Sequence, residues 1–358
     1  PAGRERSKSF RTKAEARSFL AAVETSKQRG EWSDPAGAKL RFEDFADEYV
    51  ATLSHLRPGT KLKLEGHLRN HILPFFDRTP LGAIRPAEVR AWNVALQDDG
   101  LAPGTIAGVY RTFSRIMKTA VIDGLISRSP SIGIDLPKQT SHEEMRFLEP
   151  AQVEALADSI ERRFKTLIFT ASYTGMRWGE LAALKVPRLN LLKGTVEVAE
   201  SLSEVNGHLH TQPPKTGRSR TISLPRSLCE MIGEHLGHYP SEAGFVFSSS
   251  EGKPLRRNFY GRNFLPALVK SGLDPDLCVC DKRRGCDLRH RPLYRFHDLR
   301  HTCAALLIAQ GAHPKEIQER LGHSTITLTF DRYGHLFPSL DERLRDGLDK
   351  MIRTGRFI

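Results

Sequence analysis

Four short segments in the second half of the chain set cationic or imidazole side chains beside a glycine or a helix end. They are 174–181 with Arg177 and Glu180, 214–217 with Lys215, 297–302 with His297, Arg300 and His301, and 321–324 with His323, followed by Tyr333 and His335. Singly, each has a plain account. Arg177 and Glu180 can pair one turn apart on a helix; a lysine at a hairpin turn can simply be solvated; His297 and Arg300 can be a surface pair, His323 a helix-start residue, and Tyr333 the rim of an amphipathic stretch. Together, two guanidiniums, an ammonium, two imidazoles and a phenol, with no matching carboxylate cluster, make an electropositive pocket suited to a phosphate. Guanidiniums offer rigid forked donors at any working pH. Aimed at non-bridging oxygens, they stabilise the charge that develops during attack on phosphorus. A phenol, with a reference pKa of about 10, is a weak nucleophile and needs a base. No G-x-x-x-x-G-K-[ST] nucleotide loop is present.

The elements that must position these groups read as mainly α, with a small antiparallel β section. The chain has 358 residues and a net charge of +12, a balance that favours a polyanionic partner through counterion release. No apolar run approaches the roughly 20 residues that span a bilayer, and no secretory signal opens the chain, so nucleic acid is preferred to a membrane surface. Thr12 and Glu15 form a T-x-x-E capping box that opens a basic helix through about Lys27, with Phe19, Leu20 and Val23 on one stripe. Residues 40–124 read as a helical domain. Its clearest helix carries Ile106, Val109, Tyr110, Phe113, Ile116, Met117 and Ala120 on one face, and Arg111, Arg115 and Lys118 opposite. In a chain this basic, that second face is a candidate phosphate-tracking surface rather than merely a solvated one. Residues 125–146 are dense in Ser, Pro and Gly and read as a linker. Strands are expected at 194–200, 208–212 and 220–224, with turns at Asn206–Gly207 and Thr216–Gly217.

The order and wording of the segments, T-G-x-R-x-x-E-L, P-K-T, H-D-L-R-H-T, L-G-H-S and Y-x-H-L, closely resemble the tyrosine recombinase (phage integrase) family. The resemblance covers about 147–340, implying an α/β catalytic domain there and a helical core-binding domain at 40–124. Residues 1–35 resemble the closing helix of an amino-terminal arm-binding domain and are expected to be its remnant. The family implies Arg177, Lys215, His297, Arg300, His323 and Tyr333 as the catalytic set. Tyr333 would be the nucleophile, His297 its base, Lys215 the proton donor to the departing 5′-oxygen, and His323 a hydrogen-bond donor to the phosphate. It also implies a 3′-phosphotyrosyl intermediate, no cofactor, and a homotetramer on two paired double-stranded attachment sites, with an accessory bending or directionality factor possible in such systems. Integration or excision of a phage or mobile element is the expected activity. A resolvase of the same mechanism and a non-catalytic DNA-binding regulator are the alternatives. Glu180 is expected to be structural, and His301 and His335 to lie outside the catalytic set, His301 because adjacent helical residues diverge by about 100°.

Three of the five cysteines, Cys278, Cys280 and Cys286, cluster with His290 in a basic insertion. Their C-x-C-x5-C-x3-H spacing departs from usual zinc sites, so reduced thiols in a DNA-facing loop are preferred to zinc. An odd cysteine count without a secretion signal points to a reducing, cytoplasmic setting. The tail, 341–358, continues a helical stripe of Leu340, Leu344, Leu348, Met351 and Ile352, expected either to pack on its own domain or to dock on a neighbouring protomer.

Overall fold

Apolar residues recurring at three- and four-residue spacing turn most of the described part of the first half of the chain into helix. The computed structural model describes residues 9–28, 37–138, 145–215, 217–279, 291–337 and 340–354, and divides into two compact units, Pro1–His142 and Glu143–Ile358.

In the first unit, α1 (Lys13–Gln28) opens on Thr12, whose hydroxyl accepts from the Glu15 backbone N–H, while the Glu15 carboxylate reaches one residue past the cap and accepts from the Arg11 backbone N–H, both at 3.2 Å. Phe19 and Leu20 on its stripe stay exposed, with Phe19 against the Phe10 ring. The core is built by α2 (Phe42–Thr52), α3 (Pro58–His67), α4 (Leu73–Phe76), α5 (Pro86–Asp98) and α6 (Pro103–Ile122). Phe42, Phe76, Trp92 and Phe113 pack ring against ring at its centre. The helical run from Pro58 to Phe76 is interrupted by a π-turn at Leu68–Ile72. Pro74 supplies the reason, since it has no N–H to give the carbonyl four residues back, and a wider turn relieves that clash. The same device recurs at Tyr260–Phe264, just before Pro266.

The segment expected as a linker starts by docking. Ile126 is buried in the first unit's core, and the buried Tyr110 hydroxyl donates to the Ser131 carbonyl. Its Ser residues make turns held against α6 through Tyr110 and Ser114.

The second unit is also mainly helical, with a small antiparallel β section, as expected. Its elements are α7 (Pro150–Ser159), α8 (Arg162–Thr174), α9 (Trp178–Ala182), β1 (Leu189–Asn190), β2 (Thr195–Val198), β3 (Ser201–Val205), β4 (His208–Gln212), β5 (Arg220–Ser223), α10 (Arg226–His238), α11 (Leu265–Lys270), α12 (Asp298–Ala309), α13 (Pro314–Leu321), α14 (Thr327–Tyr333) and α15 (Leu340–Thr354). The hydrophobic helix α8 packs against α7, α10 and α12. Strands order as β1-β2-β5 in one antiparallel sheet, while β3 and β4 form a separate hairpin. Asn206 and Gly207 both have positive φ, the two-residue turn that suits the right-handed twist of a hairpin. A turn is expected at Thr216–Gly217, of which Thr216 lies outside the described residues; the hairpin reading of it is corrected, because β4 and β5 do not pair and Lys215 sits on a crossover between two sheets.

Gly175 ends α8 with φ +67°, where a Cβ would lie 2.4 Å from Leu321 Cδ2 and 3.2 Å from Cys303 Sγ. Leu321 and Cys303 are themselves buried, so neither can yield. Replacing Gly175 by Ala is therefore expected to lower the unfolding free energy by roughly 2–4 kcal/mol, combining positive-φ strain with overpacking. Thermal or urea denaturation of the variant checks this, and an unshifted transition would show that the turn is not so constrained.

Candidate active site

Glu180 is the fixed point of the site. It lies on the short helix α9 and is 1% exposed. Its Oε1 accepts from Arg177 Nη1 at 3.0 Å, and its Oε2 accepts from the Arg177 backbone N–H at 2.9 Å. Both oxygens also meet Arg220 of β5, from Nη1 at 3.1 Å and Nη2 at 2.7 Å. Burial raises the Glu180 pKa, but hydrogen bonds and charge from Arg220 and then Arg177 outweigh it, and the carboxyl stays below its usual range. As expected, Glu180 orients Arg177.

Arg300, on α12, is 2% exposed and is held from two sides by the carboxyl-terminal ends of helices. Its Nη1 donates to the Gly175 carbonyl at 2.6 Å and its Nη2 to that of Leu321 at 2.5 Å. Arg177 Nη2 reaches the Gly322 carbonyl at 3.2 Å. Gly175 and Gly322 cap α8 and α13 in the left-handed conformation, turning carbonyls toward the guanidiniums at the negative ends of those helices. A Cβ on Gly322 would also press on the Arg220 side chain at 3.2 Å. The glycines of T-G-x-R and L-G-H-S are thus required by the arginines they serve. Burial, then repulsion from Arg177, lowers the Arg300 pKa to about 9, which leaves it cationic at neutral pH.

These groups open on a cleft of about 330 Å³ lined by Arg177, Lys215, His297, Arg300, Gly322, His323, Ser324, Leu328 and Arg332. Among the described residues no carboxylate lines it. His297, at the start of α12, and His323, in the turn before α14, have pKa values lowered to about 4 and about 3, by burial first and then by cationic neighbours. His297 keeps an exposed edge, where solvent weakens the effect, so His323 shows it more cleanly. The His323 Nδ1 pairs with Thr329 Oγ1 at 2.9 Å. If that hydroxyl donates, Nε2 carries the proton and can serve as a donor.

Five of the six expected side chains line this cleft, and Tyr333 does not. It ends α14, is 0% exposed, and its hydroxyl lies 2.8 Å from His301 Nδ1. Its ring is parallel to that of His323 with centroids 6.3 Å apart. Burial raises the phenol to about 12, and the charges of Arg300 and Arg332 only partly offset this. Among the described residues no hydrogen bond joins His297 to the phenol. His301 diverges from Arg300, as its place on the helix implies, and falls one turn after His297, with the two rings edge to face at 5.0 Å. His335 is exposed.

Residues 146–339 match the model described as "Phage integrase family", and residues 41–96 match "Phage integrase, N-terminal SAM-like domain". The chain belongs to the phage integrase family. This integrase is 26% identical over 300 residues to the ICEBs1 integrase of Bacillus subtilis (strain 168), covering 80% of this chain and 76% of that one. Its fold is similar to that of the Tn1549 transposon integrase solved in complex with a circular intermediate DNA, with a TM-score of 0.71, 20% identity, and coverage of 87% and 99% of the two chains. A lambda integrase tetramer bound to a Holliday junction matches with a TM-score of 0.64 at 18% identity, covering 92% of this chain and 87% of that one. The integrase is therefore a site-specific DNA recombinase of the tyrosine type.

Arg220 and Arg332 are the residues that sequence reasoning missed. Arg220 belongs to no motif, although strand alternation in β5 was available. Arg332 is hidden by adjacency to Tyr333. On α6, Arg111, Arg115 and Lys118 are exposed opposite the buried stripe. Of the zinc candidates, Cys280, Cys286 and His290 lie outside the described residues, and among the described residues no His/Cys/Asp/Glu group could hold a metal. No helix among them is long and apolar enough to cross a membrane.

The depressed imidazoles make acid stability a test. An unfolded histidine titrates near 6.5, whereas His301 and His323 titrate near 4 and 3 in the fold. As pH falls below 6.5 the unfolded chain binds protons that the folded chain refuses, so this stability is present above 6.5 and lost on the way to 4. Urea unfolding between pH 7 and pH 4.5 is expected to show that loss. His323→Gln should flatten the slope; an equally steep slope in the variant would contradict the assignment.

Proposed function

We propose that the cleft binds the scissile phosphodiester of a double-stranded attachment site and that Tyr333 attacks it. Arg177 and Arg300 take the non-bridging oxygens, with Arg332 adding positive charge. Each is already oriented by carbonyls or Glu180, so little reorganisation accompanies the chemistry. His297 and His323 line the same cleft as hydrogen-bond donors. Lys215, on its exposed crossover, gives a proton to the departing 5′-oxygen. The product is a 3′-phosphotyrosyl bond that retains the energy of the broken linkage, so the freed 5′-hydroxyl can religate without nucleotide or metal. The observation that carries this reading is the carboxylate-free cleft shared by two clamped guanidiniums, two imidazoles and Lys215, with Tyr333 directly behind it.

The exposed face of Arg111, Arg115 and Lys118 supports phosphate tracking by the helical domain at residues 40–124. A homotetramer on two paired sites fits the lambda integrase assembly on a Holliday junction, and integration or excision of a phage or mobile element is the assigned task. Helix α15 leaves Leu348 and Ile352 exposed, 57% and 82%, which favours its docking on a neighbouring protomer.

Two measurements test this. Nicked DNA carrying the core site should yield a covalent adduct on a denaturing gel with the unaltered protein and none with Tyr333→Phe; an equal adduct in the variant would move the nucleophile elsewhere. Deleting residues 340–358 should abolish cooperative pairing of two sites while leaving the adduct on a single site, and unchanged pairing would refute the docking of α15.

A further inference from the structure

Tyr333 must lose a proton to attack phosphorus, and the base expected for that task, His297, does not touch it. Of the three imidazoles near the phenol, His323 has Nδ1 engaged by Thr329 Oγ1, and His297 faces the cleft. His301 is 7% exposed and puts Nδ1 2.8 Å from the phenol oxygen, with the rings edge to face at 5.7 Å. We propose that His301 is a catalytic residue of this integrase: the base that takes the Tyr333 phenol proton on cleavage and returns it on religation. This rests on the reading of Tyr333 as the nucleophile.

The surroundings suit the task. Facing or flanking His301 are His297, Asp298 and Arg300 of its own helix α12, Arg295 just before it, His323 from the preceding turn, and Arg332 and Tyr333 of α14. Asp298 is turned away, its carboxylate accepting from the Arg295 backbone N–H at 2.7 Å and from its side chain. Burial, then Arg332 and Arg300, hold the imidazole at about 4, so it rests as a neutral acceptor. The phenol rests near 12, so without DNA the proton stays on oxygen and the nucleophile is idle. A phosphate entering the cleft brings the one charge that lowers the cost of an imidazolium there, so the base strengthens only when substrate is bound.

The step balances. The phenol O–H bond breaks and its proton goes to His301 Nδ1. The phenolate oxygen forms a bond to phosphorus, and the P–O5′ bond breaks with its electron pair on the 5′-oxygen, which takes a proton from Lys215. In religation, Lys215 receives the proton of the attacking 5′-hydroxyl and the His301 imidazolium returns its proton to the departing phenolate.

The test is single-turnover cleavage of the nicked core site from pH 5 to pH 9 by the full chain. The proteins compared carry His301, His301→Gln or His301→Asn, each with either tyrosine or the more acidic 2,3-difluorotyrosine at position 333. The variants should cleave about 10²–10⁴-fold more slowly at neutral pH, with a rate that climbs roughly tenfold per pH unit. Difluorotyrosine should recover at least tenfold in the variants and change the unaltered protein little. A structural role would not be rescued by a more acidic phenol. The proposal is overturned if both variants cleave within threefold of the unaltered protein, if the loss is independent of pH and of fluorination, or if His297→Gln shows the rescue instead. Should the substitutions prevent folding, as read by circular dichroism, a solvent deuterium isotope effect on the unaltered protein that disappears with difluorotyrosine supports proton transfer to a base, and its absence overturns it. If the unaltered protein forms no adduct, or Tyr333→Phe does, the nucleophile assignment fails first and the base assignment with it.

Discussion

Like charges held together with too little counter-charge are the constraint on which the site depends. Arg177, Arg220 and Arg300 converge on a region whose buried carboxylate is Glu180, and Arg300 responds by giving up part of its basicity. Such crowding would be strongly unfavourable if the guanidinium N–H groups were unpaired, because stripping a cation of water costs several kcal/mol. The fold offsets this by ending α8 and α13 at the same place and lending their last carbonyls. Most of the donors are satisfied and aimed, yet the charge is not neutralised. The remaining positive potential faces the cleft, where Lys215 and Arg332 add to it. In the proposed function a phosphodiester completes the balance. The local architecture follows: left-handed glycines at both helix ends, a five-residue helix to present Glu180, and a strand to deliver Arg220.

The proposed nucleophile is kept apart from that charge. Tyr333 is fully buried behind the cleft wall, in a small core with Cys303, Ala304, Ile308, Ile317 and Leu321. Its phenol is less acidic there than in water, which suits an enzyme that must not cleave before its partner strands are arranged. The elements that follow Tyr333, a 3₁₀ turn at Gly334–Leu336 and α15 with its exposed apolar side chains, are those through which a neighbouring protomer could set its position. In the proposed function, nucleophile placement and assembly share one stretch of chain.

The sequence carried much of this, for reasons that differ by element. The stripe from Ile106 to Ala120 announces α6 because a surface helix must bury one face, and the motifs around Arg177, Arg300 and His323 announce the cleft because its geometry leaves few residue types open. What was missed lies where local patterning is silent. Arg220 acts through a carboxylate forty residues earlier, and only tertiary structure brings the two together. β3, with Ser201, Ser203 and Glu204 among its residues, has no apolar alternation to show beyond Leu202, although its turn at Asn206 and Gly207 was readable. The Ser- and Pro-rich stretch after α6 looked like free linker because its attachment runs through the Tyr110 hydroxyl, a contact composition does not encode. His301 was discounted by its angle from Arg300, when its four-residue separation from His297 was the better guide to its neighbours.

The central claim is that this cluster of cations awaits one particular phosphate. Calorimetry of core-site binding at pH 6, repeated in buffers of different ionisation enthalpy, counts the protons taken up on binding. A phosphodiester at the scissile position should raise the suppressed imidazole pKa values and draw protons onto the protein, and a neutral methylphosphonate at that single position should remove most of the uptake and weaken binding. Equal uptake and equal affinity for the two DNAs would mean that the scissile phosphate does not sit among these side chains.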